Sequence, residues 1–498
     1  MRRRLFTFLS LDGADKTKPL YQQICQIITD AVNDGLLQPG DALPGTRELA
    51  NLLDVHRQTV IEAYALLNAK GATKAIEGKG TFIAELHSDQ SKAPPPVAGF
   101  SFNEFPNHES YSPQSFGNWE VKFDEGLPDP NLAPVLPLTM AYKRIYYQKI
   151  RQKKADIDYG SPEHLLALKG LSSVLRYTRG LSFDSEHFCL ILGNQMALYL
   201  VAQTLVNPGE YIAIEDPADA HASAALERAH ARLIPVTVDG EGLNTKKLAE
   251  ICEKQPIKAV YVTPQGQYPT GVQMSEQRRA ELLMLAKKHR FAIIEAEYDH
   301  EFIYSNTYVP PLLKQDMDGN VIYLSCLSRM MAPFSLVSFV IGPSPFIKSL
   351  KGLWSALDYQ GDAVLEQAVI DLIREGTLQR FIRKSNAAYR IKREQFGNML
   401  MTSLGKYADI TRPHAGLAFW LQFKDNTAIE RITDALANKK IYIPHPSLYI
   451  RSTHVSNGIR LGFASQTTEK WIAGVKAIAA ALALFLGELL NAGIPVVN

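Results

Sequence analysis

Cysteine is scarce: four in 498 residues, at Cys25, Cys189, Cys252 and Cys326, each alone, with no CxxC spacing and no histidine at ligand spacing. That scatter excludes a disulfide scaffold and a structural metal site, and it suits core thiols in a reducing cytoplasm. Excess charge of either sign is also missing, since 53 Lys and Arg against 51 Asp and Glu leave a net +2. A polyelectrolyte is excluded. Residues 1–90 hold ten basic and eleven acidic side chains, so nucleic-acid binding would have to rest on a few placed residues rather than on bulk charge. Long apolar runs are absent too: residues 477–487 form an uninterrupted run of eleven, against the roughly eighteen needed to span a bilayer. A buried helix is the expectation there. The start, MRRRLFTFLSLDG, is basic but has too short an apolar stretch for a secretory leader, so the expected location is cytoplasmic, with no membrane partner. There is no internal repeat and no low-complexity tract.

What is present is length and ordinary globular composition. The 498 residues are about three times the ~150-residue prior for one domain, which predicts two or three domains. In LYQQICQIITDAVNDGLL the apolar residues recur at helical spacing until Pro39-Gly40. A short second helix begins at Thr46, which is expected to cap it, and a third runs from His56 to Ala69, where Gly71 follows. TKAIEGKGTFIA then reads as two short strands around a turn at Gly78-Lys79-Gly80. Three helices closed by a hairpin describe a winged helix-turn-helix over residues 1–86.

Residues 87–117 are rich in Pro, Ser and Asn, carry Pro94 to Pro96 and lack any period, as a stiffened linker does. Beyond them HFCLIL, YIAIED, KAVYVTP, FAIIEA and NVIYLS alternate with helical patterns. Continuous apolar runs of that length predict buried parallel strands of a doubly wound α/β domain over residues 118–498. A small α+β subdomain is expected from about residue 386, built on LAFWLQF, GIRLGFAS and a long terminal helix.

Leu43-Pro-Gly-Thr-Arg-Glu-Leu-Ala, Val55-His-Arg-Gln-Thr-Val and Gly78-Lys-Gly-Thr-Phe together resemble the winged helix of GntR-type bacterial regulators. The resemblance implies a double-stranded DNA operator. Arg57, Gln58 and Thr59 open the third helix, where side chains reach base edges, and Arg can hold both guanine acceptors. Arg47 is expected at a base or phosphate contact, and Lys79 and the Gly80 amide at the backbone or minor groove. Gly45 and His56 stand where the family more often has small hydroxyl residues.

Farther on, Gly193-Asn-Gln-Met-Ala-Leu, Glu215-Asp-Pro, Val262-Thr-Pro-Gln-Gly-Gln-Tyr-Pro-Thr-Gly, Ile294-Glu-Ala-Glu-Tyr-Asp and Gly458-Ile-Arg-Leu-Gly-Phe occur in the order of fold-type I aminotransferases. Reader and aminotransferase-like domain in one chain resemble the MocR subfamily, which implies pyridoxal phosphate as family cofactor. That cofactor needs a lysine for its Schiff base and an acid for its pyridine nitrogen. At the lysine position, within Cys326-Leu-Ser-Arg, stands Arg329, whose guanidinium stays protonated, and no lysine lies between Gly319 and Ile347. Ala296 stands at the acid position, with Glu295 or Glu297 as deputies if the register slips by one. Asp219 replaces the stacking aromatic, and Leu336 the phosphate-holding arginine.

Other pocket positions persist: Asn194 and Gln195 at a helix start suited to anions, Tyr268, Tyr298, Ser328, and Arg460, either a carboxylate clamp or a structural ion pair. The expectation is therefore a DNA-binding regulator, homodimeric, with a catalytically inactive aminotransferase-like domain that serves for dimerisation and for sensing a small anionic effector. No catalytic residue and no metal is assigned. No covalent cofactor is expected, which leaves non-covalent binding of pyridoxal phosphate as the remaining mode. The alternatives are a pyridoxal-phosphate-binding regulator, a working aminotransferase tethered to DNA, and a purely structural large domain.

Overall fold

The chain divides into two compact units, Met1–His108 and Glu109–Asn498. The computed structural model describes residues 9–11, 18–34, 36–76, 80–84, 118–151, 162–304, 309–331, 337–357, 362–424, 429–449 and 457–491. The expected linker, 87–117, lies outside the described residues, as do Lys79 and Leu336.

The first unit holds α1 (Leu20–Asn33), α2 (Thr46–Leu53), α3 (Arg57–Ala69) and a hairpin of β1 (Thr73–Ile76) with β2 (Gly80–Ile83). Its core is the apolar face read from the sequence, with Ile24, Ile28, Leu49, Val60, Ala63 and Leu67 all buried. Two polar bonds fix the packing: the Tyr64 hydroxyl donates to the Pro44 carbonyl at 2.8 Å, and the Cys25 thiol to the Ala63 carbonyl at 3.2 Å. Between α2 and α3 the chain turns through Asp54, whose φ of 52° ends α2 in the left-handed region. Gly45, not Thr46, occupies the cap position of α2, because the helix already includes Thr46. His56 caps α3, its Nδ1 accepting from the Gln58 amide at 3.2 Å, so the residue that departs from the small-hydroxyl pattern still satisfies a helix-end donor.

The second unit runs β3 (Val121–Lys122), α4 (Val135–Arg151), α5 (Pro162–Arg179), β4 (Phe188–Leu192), α6 (Asn194–Leu205), β5 (Tyr211–Asp216), α7 (Ala220–Arg228), β6 (Arg232–Asp239), β7 (Gly242–Leu243), α8 (Thr245–Lys254), β8 (Ile257–Val262), α9 (Glu276–His289), β9 (Ala292–Glu297), α10 (Leu312–Gln315), β10 (Val321–Cys326), β11 (Val337–Ile341), α11 (Ser344–Ala356), α12 (Ala363–Arg374), α13 (Thr377–Leu404), β12 (Ala408–Thr411), β13 (Ala418–Phe423), α14 (Ile429–Ala437), β14 (Ile441–Tyr442), β15 (Gly458–Gly462) and α15 (Thr468–Asn491). Eight strands form the central sheet in the order β4-β11-β10-β9-β8-β5-β6-β7. Strands β10, β9, β8, β5 and β6 are parallel, as the buried apolar runs predict, but β11 lies antiparallel to both neighbours. The sheet is therefore mixed.

Helices cover both faces. Ile191, Ile212, Ile294 and Leu324 pack with α6, α7 and α11 on one side, while Val260, Ile293 and Val321 pack with α9 on the other. A three-stranded antiparallel sheet, β12-β13-β15, makes the smaller subdomain with α13 and α15 around Phe396, Phe419, Phe463 and Trp471. Helix α13 runs through the expected subdomain boundary: Leu378 packs with the large core and Phe396 with the small one.

Candidate functional site

In the first unit, α3 starts with exposed Arg57 and Gln58, then half-buried Thr59. The Arg57 Nε donates to Thr46 Oγ1 at 3.3 Å, which joins the starts of α2 and α3 on the surface that also exposes Arg47. Gly80 opens β2 with φ of 113°, a conformation that side chains rarely adopt. Leu43 N donates to the Thr81 carbonyl and Ile83 N to the Asp41 carbonyl, so the hairpin is tied to the segment before α2. A protruding helix start with free Arg and Gln ends is what base readout in a major groove requires.

In the second unit a cavity of about 350 Å³ opens at the carboxyl ends of the parallel strands, the place where open α/β sheets hold ligands. Seven of the expected residues line it together with Arg460: Asn194 and Gln195 after β4, Asp219 after β5, Tyr268 after β8, Ala296 and Tyr298 at and after the end of β9, and Arg329 after β10. Ser328 is buried beside the Glu301 carboxylate and is not among the described lining residues. Sequence reading missed Glu125, His221 and His300, which also line the cavity. Glu125 arrives from a loop far ahead of the sheet, and His300, although it directly follows the Ile294–Asp299 stretch that resembles the family, is given no role by the motif.

Strand alternation sets Ala296 and its two glutamate neighbours on opposite faces of β9. Successive side chains point to opposite faces, so Ile294, Ala296 and Tyr298 share one side and Glu295 and Glu297 the other. Glu295 accepts the amides of Leu312 and Leu313 at 2.7 and 2.9 Å, and the Tyr323 hydroxyl donates to Glu297. Burial pushes Glu295 up to about 8 against the pull of those two amides. Glu297 lines the cavity beside Ala296 with its carboxylate engaged by Tyr323, Glu295 is not among the described lining residues, and the Ala296 methyl is packed in the core.

Arg329 opens a 3-10 turn, Arg329–Met331, whose Met330 amide donates to Glu301 at 2.9 Å. Its Nε lies 3.5 Å from Asp299 Oδ1, and Asp299 Oδ2 lies 3.9 Å from Arg460 Nη2. Burial opposes the charge of Arg329, but Asp299 beside it holds the guanidinium firmly protonated. Arg460 donates to the carbonyls of Pro269 and Glu125 at 2.8 and 3.0 Å and stacks 4.3 Å above the Tyr268 ring. Both arginines on which an anionic ligand would depend thus already face one internal carboxylate.

Asp219 sits at the cap of α7, accepting the His221 amide at 2.8 Å. Asn194 and Gln195 form the first turn of α6, after Gly193 at φ of 84°, and Asn194 Oδ1 accepts from Ser338. The helix start that suits a phosphate is present. The rest of the pyridoxal phosphate site is not: an ion-paired arginine stands for the lysine, a buried methyl for the acid and a carboxylate for the ring face. The residues do not fit a covalently held cofactor.

Among the described residues no group of His, Cys, Asp and Glu is arranged to hold a metal ion, and no helix is long and apolar enough to cross a membrane.

Comparison with known proteins matches this division. Residues 20–83 match the bacterial regulatory proteins of the gntR family. The uncharacterised HTH-type transcriptional regulator YhdI of Bacillus subtilis is 27% identical over 95% of this chain and 97% of its own length. The probable rhizopine catabolism regulatory protein MocR of Rhizobium meliloti is 25% identical over 82% of this chain and 83% of its own. A multiple substrate aminotransferase from Thermococcus profundus superposes with a TM-score of 0.68 at 22% identity, over 75% of this chain and 93% of that one, and so shares the fold. A gntR-family winged helix followed by a fold-type I aminotransferase domain matches this chain to the MocR subfamily of transcription regulators.

Proposed function

We propose that the protein is a cytoplasmic regulator that binds a double-stranded operator as a homodimer and uses its aminotransferase-like domain to dimerise and to sense a small molecule, without transamination. The observation that carries the reading is Arg329, ion-paired to Asp299 where the chemistry needs an uncharged amine. The buried Ala296 methyl supports it, because a pyridine nitrogen placed there would lack the acid that keeps it protonated. The exposed apolar face of α4 supports a dimer: Leu136, Met140, Tyr147 and Ile150 are each more than half exposed on one side of that helix. Two readers in a symmetric pair would bind paired half-sites. A ligand regulates such a dimer by binding its DNA-competent and incompetent arrangements with different affinity.

The test of inactivity is spectroscopic. Pyridoxal phosphate added to the full chain is expected to give no visible-edge absorption band that borohydride abolishes, and no amino-group transfer to a keto acid. Arg329→Lys alone is expected to restore no amino-group transfer, since the acid and ring positions are still Ala296 and Asp219. A borohydride-sensitive band from the native chain would establish a working aminotransferase instead, and failure to shift any operator DNA in a gel would remove the regulator.

A further inference from the structure

Each cation on the described wall of the cavity already has company inside the protein. Arg329 and Arg460 share Asp299, and the Lys122 ammonium lies 5.8 Å from the centre of the Tyr442 ring. Carboxylates outnumber these cations five to three among the described lining residues. Asp124 is taken up by the amides of Gly126 and Leu127, both at 2.8 Å, and by the Ser465 hydroxyl, and Glu297 by the Tyr323 hydroxyl. Asp219 and Glu125 line the same cavity and are linked through Tyr449, whose carbonyl accepts the Ala218 amide at 3.2 Å. Glu125 accepts the Tyr449 hydroxyl at 2.8 Å, and burial followed by the Glu125 charge pushes Asp219 above the usual carboxylate range. Positive charge brought between two such groups relieves the repulsion.

An independent observation concerns His300. Its side chain is 10% exposed and lines the same cavity. Nε2 contacts the Arg179 Nη2, and a guanidinium has only N–H groups to offer, so Nε2 is the acceptor. Burial first and the Arg179 charge second hold the ring well below 6.5, hence neutral. The one ring proton therefore sits on Nδ1, a buried nitrogen with no hydrogen-bond partner among the described residues. A buried donor left unmade is costly unless something arrives to accept from it.

We infer that the cavity binds a small protonated amine carrying a neutral carbonyl oxygen, with the ammonium between Asp219 and Glu125 and the carbonyl oxygen receiving the His300 Nδ1–H. The inference rests on reading this domain as a sensor and names the class sensed. A volume of about 350 Å³ is at the small end of ligand pockets and suits such a molecule. Phosphorylated cofactors and dicarboxylates bring negative charge to a wall that already has a surplus of it.

The test uses the full chain, thermal shift and titration calorimetry, with a panel of amino-acid amides of graded size as probes, and with inorganic phosphate, succinate and pyridoxal phosphate beside them. At least one amide is expected to bind saturably and raise the melting temperature, and the three anions to leave it unmoved. Asp219→Asn keeps a good helix cap and is expected to weaken amide binding at least tenfold, with unchanged circular dichroism. His300→Phe is expected to weaken it several-fold. The inference is overturned if phosphate or pyridoxal phosphate binds more tightly than every amide, if no amide binds, or if Asp219→Asn binds like the native chain. Loss of the regulator reading would show instead in operator binding or in a borohydride-sensitive band, which are separate measurements.

Discussion

Arg57 and Arg329 differ in what surrounds them, and that difference separates the residue proposed to read DNA from the one proposed to exclude the Schiff base. Arg57 is exposed at the start of α3, and among the described residues its one side-chain hydrogen bond is the 3.3 Å contact from Nε to Thr46, which does not engage the terminal nitrogens. Arg57→Ala is expected to weaken operator binding by about 1–3 kcal/mol and to relax preference at one base position. Gel-shift titration at fixed salt against the operator and its single-base variants checks this, and equal affinity for all of them in the native chain would remove Arg57 from base readout. Arg329 stands where motif order in the sequence puts the family's lysine. Its ion pair with Asp299 was not legible there, although Asp299 lies in a quoted motif, because the register of β9 against β10 brings the two together only in the fold. The roles of His300 and Glu125 are hidden for the same reason. A burial-dependent tautomer and a carboxylate from a distant loop leave no local pattern.

At the scale of elements, legibility followed burial. Strands β4, β5, β8, β9 and β10 are continuous apolar runs and were read as strands, whereas β6 is half exposed along its length and has no such run. The antiparallel β11 is fully buried, and strand direction is not written in apolar content. Helix α4 shows the converse, a pattern that a fold of one chain does not use. Ala141 and Ile145 pack inward and Arg144 pairs with Asp371 and Glu375, yet the outward face carries Leu136, Met140, Tyr147 and Ile150. Replacing Leu136 and Met140 together by Asp places two charges on that face without touching the core. The pair is expected to shift sedimentation toward the monomer and to weaken binding to a two-half-site operator far more than to a single half-site. An unchanged sedimentation coefficient would mean that α4 is not the dimer face.

Across the whole molecule, the aminotransferase-like unit keeps several buried acids beneath its cavity, and their titration sets how its stability depends on pH. Burial pushes Glu215 up to about 7, Glu295 to about 8 and Glu301 to about 7, each from 4.5. In the unfolded chain these groups lose their protons near 4.5, while the folded chain holds them until about 7 to 8. Between those limits the native state binds more protons, so stability falls as pH rises. His300 acts in the opposite sense: its folded pKa is well below 6.5, so its contribution is present above 6.5 and is lost as pH falls through that value and below. Of these four groups the three glutamates act without His300 from about 6.5 to 8. Over that window the melting temperature of this unit is expected to fall, with each group contributing at most about 1.4 kcal/mol per pH unit. Glu295→Gln removes the group that titrates highest and is expected to flatten the upper part of the fall. A melting temperature that stays level or rises between pH 6.5 and 8 would show that these acids are ionised in the folded state, held so by the amides and hydroxyls they accept.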